Sequence, residues 1–224
     1  MSNSIKLIIF DAYGVTLTGG YPDTCKFFAK KFKRDWQDVY KIIYKKYFNM
    51  AAERKITQKE AWELAVKELD FPIPWQEVRK KHYELMGVNK EIIKFAKNIN
   101  KAMSQPPRPA ALLGEGTAAI KTLLLSKNTR SQFSDIGKRL GFKDSFEFVI
   151  NTWEIGLPKA SEQTIRYIMK KFKVNADEII YIDDQEENLI AAKKLGVRTI
   201  FYKNFAHFKR EILLKINFRD KINT

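Results

Sequence analysis

The sequence predicts an α/β fold, a Rossmann-like parallel sheet with crossover helices, and a small all-helical unit inserted near its start. Three observations carry this. Short strand-like runs recur along the chain ("IKLIIF", "KTLLLS", "FEFVIN", "EIIYIDD", "RTIFY"), and strands buried on both faces read as nearly unbroken apolar stretches. Beyond residue 90 these runs alternate with amphipathic helical segments, as in a parallel sheet whose crossovers cover both faces. Residues 19–88, between the first run and the alternation, show only helical periodicity.

The first strand, residues 5–10, runs straight into Asp11, with Tyr13 and Gly14 behind it. Four helices follow. "DTCKFFAKKFKRD" comes after Pro22 with Asp23 as its expected cap. "DWQDVYKIIYKKYFNMAAER" sets Val39, Ile42, Ile43, Tyr47 and Met50 on one stripe. "TQKEAWELAVKEL" opens with Thr57 and Glu60 as a capping box. "WQEVRKKHYELM" follows the break at Pro72 and Pro74. The later helices are "KEIIKFAKNINK", "RSQFSDIGKRLG", "ASEQTIRYIMKKF" and "QEENLIAAKKLG", each leading to a strand. The expected division is an α/β core over 1–18 and 89–224 with the helical unit over 19–88. Residues 102–120 hold three of the seven prolines and no lysine, and are expected to be a surface insertion.

A chain of 224 residues, 45% of them hydrophobic, can bury a substantial core. The single cysteine, Cys25, excludes an intrachain disulfide and fits a reducing compartment. No apolar run approaches the ~18–20 residues that span a bilayer, and "KLIIF" is too short for a secretory signal. A cytoplasmic location without a membrane partner is expected. The formal charge of +15 invites nucleic acid. The lysines, however, are spread over helix faces, and only "NFAHFKREILLKINFRDKINT" comes near a basic arm. A basic surface steering a small anionic substrate is the favoured reading, with nucleic acid left open.

Ligands of parallel sheets bind outside the carboxyl ends of the strands. There the sequence puts Asp11, Ser126, Asp183 and Asp184, with Lys159 in the loop "EIGLPKAS". Carboxylates crowded together repel unless a cation joins them, and hard oxygen ligands suit Mg²⁺. A lysine could neutralise an anionic group and a serine hydroxyl could hydrogen-bond it. Each residue also has a plainer role open to it: Asp11 as a turn residue, Ser126 as a helix cap, Lys159 as a surface charge. Asp183 and Asp184 could be ordinary first-turn carboxylates.

Taken in order, Asp11-Ala12-Tyr13-Gly14-Val15, Ser126, Lys159 and Asp183-Asp184 with Asn188 resemble the four motifs of the haloacid dehalogenase (HAD) superfamily. The resemblance covers nearly the whole chain apart from 102–120, and "IDDQEENLIAAKKLG" is its most specific piece. It implies a HAD-like core with residues 19–88 as a cap domain. It implies Asp11 as nucleophile, Ser126 with Lys127 and Asn128 at the substrate, and Lys159 pairing with the nucleophile and the transferred group. For Mg²⁺ it implies Asp184, Asp11 and the backbone carbonyl of Tyr13, supported by Asp183.

Three positions depart from the family pattern. Phosphatases of the family carry a second aspartate where this chain has Tyr13; dehalogenases carry tyrosine there. Lys127 stands where asparagine is frequent, and Ala160 where proline usually follows the lysine. Tyr13 pulls toward carbon–halogen chemistry, whereas the carboxylate pair pulls toward Mg²⁺ and phosphoryl transfer. The leading expectation is a Mg²⁺-dependent phosphatase on a small phosphorylated metabolite. The alternatives are a 2-haloacid dehalogenase-like hydrolase and a catalytically weak binding protein with a basic surface. In "AAERKITQ", Arg54 and Lys55 are candidates to face the pocket, or else solvated loop charges.

Overall fold

The computed structural model describes residues 4–104 and 120–216. The chain enters along β1 (Leu7–Asp11), buried at every position. It then pairs β2 (Leu17–Thr18) antiparallel with β3 (Gly87–Val88), so it leaves for the helical insert and returns from it side by side.

The insert begins with α1 (Tyr21–Phe32). Gly20, without a side-chain bond, is its N-cap; the expected cap Asp23 lies instead in the first turn, where a carboxylate complements the helix dipole. Next comes one helical run made of α2 (Trp36–Tyr40), a π-helical stretch Lys41–Phe48, and α3 (Asn49–Ala52). Asp35 caps it by accepting from the amides of Gln37 and Asp38. The wide π turn was not visible in the apolar stripe, of which Val39, Ile43 and Tyr47 are buried. α4 (Gln58–Glu68) carries the expected Thr57/Glu60 capping box, and α5 (Trp75–Glu84) starts after Pro74. These helices enclose their own apolar cluster around Tyr21, Phe28, Ile43 and Trp62.

The alternating part comprises α6 (Lys90–Ser104), β4 (Lys121–Ser126), α7 (Arg130–Leu140), β5 (Phe148–Asn151), α8 (Thr152–Ile155), α9 (Glu162–Phe172), β6 (Ile179–Asp183), α10 (Glu186–Lys194), β7 (Arg198–Phe201) and α11 (Phe205–Lys215). α6 runs through Ser104, past the expected start of the 102–120 insertion; residues 105–119 lie outside the described ones.

The sheet is parallel throughout, in the order β5-β4-β1-β6-β7. Side chains alternate across it, as the strand period of two requires. Ile8 and Phe10 pack with Leu124, Ile182, Phe146 and Phe208 on one face. Leu7 and Ile9 pack with Leu123, Ile165, Ile168 and Leu189 on the other. The chain winds from β1 outward to β5, then crosses to β6 on the other side. The strand order therefore reverses between β1 and β6, and a crevice opens at that switch point. Asp11 and Asp183 end the two strands that border it.

Trp62, almost fully enclosed, is among the largest side chains in the insert's cluster. Trp62→Ala should lower the unfolding free energy by about 3–5 kcal/mol, read as a lower urea midpoint at unchanged slope. A shift worth less than about 1 kcal/mol would mean the insert does not depend on that cluster.

Candidate active site

A tight turn presents Asp11. Its backbone carbonyl accepts from both the amide and the hydroxyl of Thr16, at 3.3 and 2.7 Å. Leu17 donates to the Ala12 carbonyl at 2.7 Å, and Gly14 to the Leu17 carbonyl at 2.9 Å. Gly14 has φ +91°, and a Cβ there would overlap the Asp184 carboxylate. Only glycine satisfies both the backbone conformation and the close approach.

Lys159 is buried between two carboxylates. Its Nζ donates to Asp11 Oδ1 and lies 2.7 Å from Asp183 Oδ2, with Lys159, Asp11 and Asp183 only 4%, 2% and 0% exposed. The loop carrying it is pinned where the Pro158 carbonyl accepts from Ser161 and Thr164, both at 2.7 Å. Burial works against the Lys159 charge, yet Asp11 and Asp183 outweigh it and hold the ammonium above its ordinary range. Asp11 is pushed up by burial and by the neighbouring Asp183 charge, with Lys159 offsetting part of this. Asp183 is fully engaged: Oδ2 also accepts from Tyr181, and Oδ1 from the Gln185 amide and Asn188.

At this end of the sheet two buried polar atoms of the described residues have no partner, Asp184 Oδ1 and Ser126 Oγ. Thr129, not Ser126, caps α7, so the capping role for Ser126 falls away. Carboxylate oxygens of Asp11, Asp183 and Asp184 lie within 4.8 Å of one another. Burial and the Asp183 charge push Asp184 up to about 6. An orphaned carboxylate oxygen in a glycine-cleared space beside a second carboxylate suits a hard divalent cation. Asp11 and Asp184 have oxygens to offer it, whereas the bonds of Asp183 direct it to Lys159 and the loop.

Asn128 is spent within the protein. Its Oδ1 accepts from the Thr129 amide at 2.8 Å, and its Nδ2 bonds the Tyr13 hydroxyl. It therefore positions Tyr13 rather than offering itself to a ligand. Burial raises the Tyr13 phenol far above its ordinary range, so it stays neutral and is no base.

Asp11, Tyr13, Lys127, Lys159, Asp184 and Asn188 share one cavity of about 80 Å³. Its roof comes from the insert: Tyr21, Tyr40, Tyr44 and Phe48. Tyr40 stacks on Tyr44 and Tyr44 on Phe48, with centroids 4.9 and 5.1 Å apart. The π-helical turn brings residues four apart nearly into register, and this aromatic ladder was missed from the sequence. Its spacing, Tyr-x-x-x-Tyr-x-x-x-Phe, was the available signal. Arg54 and Lys55 do not line the cavity. Arg54 donates to the Trp153 carbonyl and stacks 4.6 Å from the Trp153 ring, tying insert to core, while Lys55 pairs with Glu53.

A buried Asp–Lys pair and an adjoining carboxylate cluster thus sit at the sheet's switch point under a helical roof, in an α/β protein. A family model for haloacid dehalogenase-like hydrolases matches residues 5–196, and the chain belongs to that family. A 67-residue stretch is similar to bifunctional epoxide hydrolase 2 of Rattus norvegicus (28% identical) and Mus musculus (30%), spanning 30% of this chain but 12% of those proteins. Among solved structures, a HAD-family enzyme from Bacteroides thetaiotaomicron superposes with a TM-score of 0.70 at 16% identity, covering 93% of this chain and all of that one. The same enzyme is known in complex with magnesium and inorganic phosphate, with a TM-score of 0.65 at 14% identity over 91% of this chain and 98% of that one. The L-2-haloacid dehalogenase of Xanthobacter autotrophicus with chloropropionic acid covalently bound gives 0.60 at 14% identity, over 98% of this chain and 85% of that one.

Folding raises the Asp184 pKa from 3.8 to about 6. Without metal, its contribution to stability is therefore full below about pH 4 and lost as pH rises through about 6. Mg²⁺ should raise the melting temperature clearly at pH 7.5 and scarcely at pH 4.5, and Gly14→Ala should abolish the gain. Equal shifts at both pH values would count against Asp184 as a ligand.

Proposed function

We propose that this protein is a Mg²⁺-dependent phosphohydrolase acting on a small, anionic phosphorylated metabolite through Asp11, with residues 19–88 as a cap over the site. The observation that carries this reading is the unpartnered buried carboxylate oxygen of Asp184 beside Asp11. Two ionised carboxylates are costly to keep so close without a cation, and carbon–halogen displacement needs none. The HAD-family relative crystallised with magnesium and phosphate supports the reading by analogy. The single cysteine supports a cytoplasmic location.

Lys159 and the Ala12 amide occupy Asp11 Oδ1, so Oδ2 is the oxygen that attacks phosphorus. The phosphorus–oxygen bond to the leaving group breaks and an aspartyl phosphate forms. Water then attacks that phosphorus, releasing inorganic phosphate and restoring the carboxylate. Ser126 Oγ donates to an oxygen of the transferred group, and Lys159 balances the charge gathering there. Asp11, Asp184 and the Tyr13 carbonyl would hold Mg²⁺, which when bound supplies charge neutralisation at the phosphoryl oxygens. The aromatic roof keeps bulk water from the site.

Tyr13 sets the leaving-group preference. A neutral phenol tied to Asn128 does not replace an aspartate that protonates a departing alkoxide and then activates water. Good leaving groups, such as the carboxylate of an acyl phosphate, do not need that proton. Tyr13 is also the observation favouring the second reading, dehalogenation of a 2-haloacid.

Acetyl phosphate and p-nitrophenyl phosphate should be hydrolysed with Mg²⁺, with activity lost to EDTA and in Asp11→Asn. Chloride release from 2-chloropropionate, with no phosphate release, would move the assignment to the second reading. Tyr13→Asp should raise turnover of an alkyl phosphate by about 10²-fold, the scale of a restored general acid, and change acetyl phosphate hydrolysis far less. Equal gains on both substrates would show that Tyr13 does not set the leaving-group preference.

A further inference from the structure

Lys127 lines the same cavity as Asp11, Lys159 and Asp184, but its ammonium is unused. Among the described residues it makes no ion pair: of the two carboxylates that act on it, Glu53 is paired with Lys55 and Asp11 with Lys159. It sits 6.0 Å from the Tyr44 ring centroid, at the level of the roof. Ser126, one residue earlier, ends its strand fully buried at the sheet edge. Of these two neighbours it is Lys127 that lines the cavity, facing the portion of a ligand that would lie under the insert.

A half-buried cation with no paired carboxylate is unfavourable: burial and the Lys159 charge push its pKa down, and Glu53 and Asp11 offset this only in part. An anion supplied by the ligand would relieve this. From this placement we infer that the substrate carries a second anionic group, a carboxylate or a second phosphate, bound by Lys127. The inference takes the identity of the transferred group from the phosphohydrolase reading. Lys127 and Asp11 line the same cavity, so both anionic groups of the ligand would sit within it. The substrate class is thus a phosphorylated acid or a bisphosphate.

A matched two-carbon series tests this: ethyl phosphate, 2-phosphoglycolate and ethane-1,2-diol bisphosphate, with calorimetric binding measured in the presence of Mg²⁺. The wild type should bind one of the doubly anionic ligands about 10- to 100-fold more tightly than ethyl phosphate, the range for a charge-assisted hydrogen bond. Whichever ligand gains identifies the second group. Lys127→Gln should weaken the preferred doubly anionic ligand by that same factor and ethyl phosphate much less, and Lys127→Arg should restore part of the difference. Equal wild-type affinity for all three ligands would overturn the inference. So would a uniform loss in Lys127→Gln, because Lys127 would then be serving the transferred phosphoryl group. Matching melting temperatures across the variants would exclude misfolding. Turnover of acetyl phosphate by the wild type tests the phosphohydrolase reading separately. Its failure beside a clear calorimetric preference would sink that reading and leave the second-anion assignment standing.

Discussion

The arrangement rests on one buried ammonium. Lys159 lies between Asp11 and Asp183, and each of these ions loses hydration that costs several kcal/mol to give up. Such a cluster holds only when its remaining hydrogen-bonding capacity is filled. Tyr181, Asn188 and the Gln185 amide fill that of Asp183, and the Ala12 amide reaches Asp11. The adjacency comes from topology: β1 and β6 are neighbours, and Asp11 and Asp183 end them. The loop after α8 then has to deliver the lysine to the gap between them. Removing Lys159 would leave two facing buried carboxylates, so position and charge balance are here one constraint. Asp11 is oriented before any ligand arrives.

A second network registers the insert against the core, and its hydrogen-bond directions can be assigned. The Thr24 hydroxyl donates to the Gly20 carbonyl at 2.7 Å, so His82 Nδ1 must carry the proton it shares with Thr24 at 2.9 Å. His82 Nε2 is then the acceptor for Gln132 Nε2 at 3.2 Å. Gln132 Oε1 accepts from the Tyr21 hydroxyl, which in turn accepts from Gln58, and Gln58 Oε1 accepts from Thr129. Burial pushes His82 down to about 3, so the imidazole stays neutral and the chain keeps its direction near neutral pH. Tyr21 is thereby fixed as part of the roof, and Gln132 and Thr129 are held on the helix that begins next to Asn128. The ladder of Tyr40, Tyr44 and Phe48 is stacked on the same support, through contacts of Tyr21 with Tyr44 and Phe48.

The sheet and the residues on its carboxyl edge were legible in the sequence because both follow from local pattern. Unbroken apolar runs marked the strands, and the crevice rule placed Asp11, Ser126, Lys159, Asp183 and Asp184 together without any coordinate. The turn at Gly14 was legible for the same reason. What escaped depends on pairing across distance. No local signal separates Asp183, whose lone pairs are filled, from Asp184, which keeps one oxygen free. Asn128 reads as a ligand-facing residue until its two bonds inside the protein are seen. Arg54 reads as a pocket charge until it is found against Trp153. The π-helical turn was hidden because an apolar stripe tolerates a locally wider turn, although the aromatic spacing recorded its effect.

Tyr13 and Lys127 have a common electrostatic meaning. An aspartate at position 13 would put a fourth carboxylate beside Asp11, Asp183 and Asp184, with Lys159 as the one ammonium among them. This chain has a neutral phenol there and a second ammonium at 127, moving the local charge two units toward positive. On the proposed reading, that change exchanges proton delivery to a poor leaving group for attraction of a more highly charged ligand. A cation helps most where water is scarce, and the aromatic ladder from the insert supplies that environment. A doubly anionic ligand with a good leaving group suits both substitutions together. A singly charged alkyl phosphate suits neither, since it would have no proton donor for its departing oxygen and nothing to offer the ammonium under the roof.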